Sequence, residues 1–139
     1  RFQFHINNKK QVFIEDYAHH PKEIESLVKS LRVMYGGQKI TMIFQPHLFS
    51  RTKDLISEFA ESLSKVDEII IIDIYGAREK PISGFGINNL FDLIKSKQKY
   101  LVADDNLVNF IYNLSPKLLV SVGAGDITKF SQKIKSVLL

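Results

Sequence analysis

The chain contains no cysteine and no tryptophan, and only four prolines and seven glycines among 139 residues. Without thiols it can build neither a disulfide framework nor a thiolate metal site. No apolar run approaches the roughly 18 residues needed to cross a bilayer, and the first residues carry no signal-peptide pattern. Lysine and arginine number 19 against 15 acidic residues, a net charge of +4, and no run gathers five or more basic residues. Such diffuse positive charge suits anionic small molecules and does not make a nucleic-acid surface. A phosphate cradle of the form G-x-x-x-x-G-K-[ST] is also missing, because Gly36-Gly37-Gln38-Lys39 has the wrong spacing. These absences point to a cytoplasmic protein with no membrane and no nucleic-acid partner.

What is present is 45% hydrophobic residues in a repeated change of period, enough for one core. Phe2, Phe4 and Ile6 alternate, Asn7 to Lys10 turns, and Val12 to Ile14 begins a second strand, which predicts an N-terminal hairpin. Pro21 suits a first helical turn, followed by Ile24, Leu27, Val28, Leu31 and Tyr35 at helical spacing up to Gly36-Gly37. Lys39 to Phe44 reads as a strand. Ser50 is expected to cap one helix carrying Leu55, Ile56, Phe59, Ala60 and Leu63, with a Glu61–Lys65 pair. The isoleucine run from Glu68 to Ile74 predicts a strand covered on both faces. A helix near Ile87 to Ile94, a strand at Lys99 to Ala103, and a helix capped by Asp104 follow. Lys117 to Val122 is the last strand, and Asp126 is expected to cap the final helix.

Six strands and five helices in this order predict a single α/β domain over residues 1–139. It would be Rossmann-like and three-layered, with a six-stranded, mostly parallel sheet, an antiparallel first strand and helices on both faces. The opening Arg1-Phe2-Gln3 lacks an initiator methionine, so a domain of a longer chain is expected.

Four polar clusters fall where a strand ends and a helix begins: Asp16 to Pro21, Gln45 to Thr52, Tyr75 to Gly86, and Gly123 to Asp126. In parallel α/β sheets ligands bind beyond the carboxyl ends of the strands, so the four would share one edge. Adjacent strand residues face opposite ways, so His19 and His20 cannot both face one ligand unless the chain turns between them. Asp16 and one histidine could instead satisfy loop backbone groups. Arg51 in a first helical turn opposes the helix dipole, which hints at a bound carboxylate or phosphate; the plain alternative is a pair with Asp54 or Glu58. Arg78, Glu79 and Lys80 read most simply as solvated loop charges. Gly123-Ala124-Gly125-Asp126 lacks the third glycine of a dinucleotide fingerprint and opens the last helix instead of the first.

Taken in order and spacing, these segments resemble a known family. Glu15-Asp16-Tyr17-Ala18-His19-His20-Pro21, Gln45-Pro46-His47 with Ser50-Arg51-Thr52, Tyr75 to Ile82, and Gly123 to Ile127 are similar to the C-terminal domain of the Mur ligases. Within that family they resemble the branch that joins L-alanine to UDP-N-acetylmuramate in peptidoglycan synthesis. The branch that recycles murein tripeptide shares the first segment but typically lacks the Gln-Pro-His and Gly-Ala-Gly-Asp pieces.

The resemblance implies an ATP- and Mg-dependent amide ligase of three domains, acting through an acyl phosphate, in which this domain closes over the reaction centre. The N-terminal domain would hold the UDP moiety and the central domain the P-loop, ATP and Mg. It further implies that Arg1 and Asp16 lie on the nucleotide side, and that Tyr17, His19, His47 and Arg51 bind substrate. His19 and Arg51 would stand nearest the chemistry, and His20 would be structural. Leu48 occupies a position where many members carry arginine, leaving Lys53 or another domain to compensate. No metal ligands are expected in this domain. Two readings from other classes remain open: a stand-alone α/β module for a small anion, and a metal hydrolase built on Asp16, His19 and His47.

Overall fold

A computed structural model describes residues 2–139, so the nucleotide-side assignment of Arg1 lies outside the described residues. Strands β1 (Gln3–Asn7) and β2 (Val12–Asp16) form the antiparallel hairpin. Helix α1 (Pro21–Tyr35) leads to β3 (Thr41–Phe44), and two short helices, α2 (Phe49–Asp54) and α3 (Ile56–Leu63), lead to β4 (Glu68–Ile71). Helix α4 (Ile87–Leu93), β5 (Gln98–Leu101), α5 (Leu107–Leu114), β6 (Leu118–Val122) and α6 (Ser131–Leu138) complete the chain. Turns of 3₁₀ helix at Asp104–Asn106 and Asp126–Phe130 introduce α5 and α6.

The strand order is β1-β2-β6-β3-β4-β5, parallel throughout except for the first pair. Alternation along the buried strands builds two cores from one sheet. Ile14, Met42, Phe44, Ile69, Ile71, Val120 and Val122 pack with Ile24 and Leu31 of α1, Phe59 and Leu63 of α3, and Leu90 of α4. Phe13, Ile43, Ile70 and Leu119 face the other way, against Ile111 of α5 and Ile134 of α6. Central strands buried on both faces are what the near-continuous apolar runs required. A carboxylate joins the layers at one edge: Glu15 accepts from Ser131 Oγ at 2.5 Å and lies 2.7 Å from His5 Nε2, tying the hairpin to the start of α6. Among the described residues no helix is long and apolar enough to cross a membrane.

The helix count and three caps differ from expectation. The predicted helix after Ser50 is broken at Leu55, whose ψ of 24° leaves the helical region, so six α-helices form among the described residues instead of five. Ser50 lies inside α2, not at its cap. Asp104 and Asp126 open 3₁₀ turns without capping through their side chains. Lys65 reaches across to Glu25 of α1 at 2.5 Å instead of pairing with Glu61.

Candidate active site

The parallel ladders end in a single row: Asp16 is level with Val122, Val122 with Phe44, and Phe44 with Ile71. The next residues still reach across, with Gly123 N donating to Asp16 O at 3.2 Å and Gln45 N to Val122 O at 3.1 Å. The four polar clusters therefore emerge side by side at one edge, as the sequence spacing predicted.

The β2–α1 junction is shaped by short hydrogen bonds. Ala18 N donates to Asp16 Oδ2 at 3.0 Å, a local turn that sends the chain away from the strand. His20 caps α1, its Nδ1 accepting from Lys22 N at 3.2 Å, while Glu23 Oε1 accepts from His20 N at 3.0 Å and His19 N at 3.1 Å. The His19 amide, first among these donors, holds the Glu23 carboxyl below its ordinary range. His20 is thus spent on the helix, and the turn between the two rings frees His19 to face the cleft. His19 Nδ1 sits 3.0 Å from the Tyr17 carbonyl, which can only accept, so the neutral ring carries its hydrogen on Nδ1 and presents Nε2 as an acceptor. Tyr17 itself is 54% exposed at the rim.

Across the row, the His19 and His47 rings meet edge to face at 6.2 Å, and His47 stacks on Tyr75 at 5.8 Å with an 11° tilt. His47 Nδ1 and Arg51 Nη1 are both buried without a hydrogen-bond partner. Burial, then the Arg51 charge, then His19 push the His47 pKa below its usual value, against a smaller opposing pull from Glu79. Neither Asp54 nor Glu58 pairs with Arg51 Nη1, so the plain alternative for this arginine does not hold for that atom.

The remaining loops lock this group in place. Buried Gln45 donates from Nε2 to Asp126 Oδ1 at 2.8 Å and accepts from Ile127 N at 3.2 Å, joining the β3 and β6 ends. Tyr75 N donates to Pro46 O at 2.9 Å and Leu48 N to Tyr75 O at 2.8 Å, extending the parallel pairing past the strands. The Tyr75 ring lies over Gly125, where a Cβ would stand 2.7 Å from two ring carbons. Glu79, against expectation, is not a solvated loop charge but accepts hydrogen bonds from both the amide and the hydroxyl of Ser50. These bonds, the hydroxyl first, hold its carboxyl below the ordinary range. The α2 amide expected to receive an outside anion therefore already has one from the chain itself.

The structure brings His19, His47 and Arg51 together, with Asp16 and Tyr17 at the end of β2, which β6 separates from β3. Gln45, Tyr75 and Glu79 were missed as site residues because their partners lie 27 to 82 positions away. The only local signal was a polar or aromatic residue just past a strand end beside a motif histidine. Among the described residues no three His, Asp or Glu side chains are grouped so as to hold a metal ion.

A family model described as the Mur ligase glutamate ligase domain matches residues 1–112. The chain belongs to the Mur ligase family. Curated relatives cover nearly all of it: the UDP-N-acetylmuramate--L-alanine ligase of Cytophaga hutchinsonii is 44% identical over 135 residues, or 97% of this chain. Its namesake from Flavobacterium psychrophilum is 45% identical over 138 residues, or 99%. The chain spans only 29% and 31% of the length of these relatives. Among solved structures, UDP-N-acetylmuramate-alanine ligase MurC of Thermotoga maritima superposes with a TM-score of 0.77 at 27% identity, covering 98% of this chain and 29% of the other. A murein peptide ligase of Psychrobacter arcticus gives 0.72 at 15% identity, again covering 98% and 29%, a likeness of fold alone. The Mur ligase domain thus has the six-stranded mixed sheet expected from its sequence.

The lowered His47 pKa has a measurable consequence. A histidine whose folded pKa is depressed makes no difference to stability well above its unfolded value of 6.5, and costs stability as pH falls below that value toward the folded one. The Mur ligase domain should therefore lose stability between about pH 7 and pH 5 more steeply than a His47→Gln variant. Melting temperatures of both proteins across that range test this, and parallel curves would refute it.

Proposed function

We propose that this domain forms the acceptor-side wall of a longer, three-domain ligase that joins L-alanine to UDP-N-acetylmuramate with ATP in peptidoglycan synthesis. The relatives' names support the reaction class, and the observation that carries the role is Arg51: a buried guanidinium nitrogen without an acceptor, beside a neutral histidine. A desolvated cation of this kind is stabilised when a ligand carboxylate completes it, and the fork of arginine matches a carboxylate in two parallel bonds.

In this reading Arg51 holds the alanine carboxylate, and the His19 Nε2 lone pair faces the amine, which must shed a proton before it can attack an activated carboxyl. His47 and Tyr17 line the same pocket, and Asp16 with Arg1 faces the nucleotide. ATP supplies the phosphoryl group that activates the carboxyl, and Mg its charge neutralisation, both held mainly by the central domain. The wall itself fits a carboxylate better than a cation, since Arg51 supplies positive charge and no metal-ligand group is found among the described residues. Closure over the centre would also keep water from the activated intermediate. A bacterial cytoplasmic setting follows from the same reading.

Phosphate release by the full-length protein, supplied with ATP, Mg and UDP-N-acetylmuramate, should depend on L-alanine and not on murein tripeptide. The 139-residue domain alone should give no turnover. Tripeptide-dependent release, or turnover by the isolated domain, would overturn the proposal.

A further inference from the structure

Helix α2 carries Arg51 but has little to hold itself. It is six residues long, its N-cap Leu48 makes no side-chain bond, and that leucine sits at a φ of 73°. Side chains rarely adopt this left-handed region, and short isolated helices do not persist in water. Beyond the Thr52 amide and hydroxyl, which donate to Leu48 O, what fixes the first turn comes from the 75–79 loop. Glu79 accepts from Ser50 N at 3.0 Å and from Ser50 Oγ, so the residue immediately before Arg51 is held by both of its polar groups. The Phe49 ring covers Gly76 so closely that an added Cβ would lie 2.4 Å from a ring carbon. Leu48 N completes the seam by donating to Tyr75 O at 2.8 Å.

The charge arrangement adds a second reason. Glu79 meets the positive end of α2 through Ser50, whereas Arg51 Nη1 has no partner. The nearby carboxylate steadies the helix while leaving that guanidinium nitrogen unneutralised. We infer that Glu79 is a positioning residue for acceptor binding: clamped on Ser50, it sets the direction of the Arg51 fork without competing for it. This inference rests on the acceptor role given to Arg51 above.

The test uses the full-length ligase with Glu79→Ala, Glu79→Gln, Ser50→Ala and the Glu79→Ala/Ser50→Ala double variant. Misdirecting a substrate clamp should lower kcat/KM for L-alanine roughly ten- to a hundredfold in Glu79→Ala, with KM for ATP unchanged. Glu79→Gln keeps one acceptor oxygen and should fall in between. The double variant should be no worse than Glu79→Ala, because the hydroxyl bond that Ser50→Ala removes is already lost in Glu79→Ala. Alanine kinetics of Glu79→Ala equal to those of the parent would overturn the inference. So would an equal rise of KM for all three substrates with a lowered melting temperature, or additive losses in the double variant. An unsubstituted enzyme without alanine-dependent phosphate release would instead sink the functional reading, and this inference with it.

Discussion

Replacing Arg51 by alanine in the full-length ligase is expected to lower kcat/KM for L-alanine by on the order of a hundredfold, the scale of a lost charge-assisted, two-point contact. The melting temperature should stay level or rise slightly. These opposite signs distinguish a ligand-binding cation from a structural one. A structural arginine has its donors satisfied by the protein, so truncating it leaves buried acceptors unpaired and costs stability. Here the donor left unpaired is Nη1 itself, and its removal relieves a desolvation cost. Arg51→Lys should recover only part of the activity, because an ammonium is a point charge without the planar fork. Steady-state kinetics in L-alanine together with thermal melting decide the matter. Unchanged alanine kinetics, or a large drop in melting temperature without a kinetic effect, would refute the role.

Gly125→Ala should destabilise the domain by about 3 kcal/mol, near the upper end of the cost of overpacking, and lower its melting temperature by roughly 10 °C. The φ of Gly125, −88°, is itself ordinary for an L residue. Space is the obstacle: the new methyl would stand 2.6 Å from Gln45 Oε1 and 2.7 Å from Tyr75 Cγ and Cδ2. Neither neighbour can yield cheaply. Gln45 is 2% exposed and held at both ends of its amide by Asp126 and Ile127, and the ring atoms that collide lie at the base of Tyr75. Tyr75 must then leave His47, so activity should fall along with stability. A melting temperature within error of the parent protein would show that the junction is looser than its distances imply.

Both predictions concern contacts that sequence spacing reached only in part. The apolar periods announced the sheet, its antiparallel first strand and the two-faced burial of the Ile69 to Ile72 run, because side-chain alternation is a local property of the backbone. The strand-end position of the Asp16, Gln45, Tyr75 and Gly123 clusters was equally legible. The caps were not. Ser50, Asp104 and Asp126 have the composition of N-caps, yet Ser50 is engaged by Glu79 and Asp126 by Gln45, both from distant segments, while Asp104 opens a 3₁₀ turn of its own. Lys65 followed the same pattern when it took Glu25 of α1 over its helical neighbour Glu61.

Fold class, family and the placement of four polar clusters at one sheet edge were legible along the chain, since strand and helix periods and motif order are local features. Only the tertiary structure decided how those residues divide their work: His20 and Glu79 spent on holding helices, His19 turned toward His47, and Arg51 Nη1 left without a partner. The physical reason is that hydrogen-bond satisfaction and desolvation are set by neighbours in space, and at this edge the neighbours come from loops up to 82 residues apart.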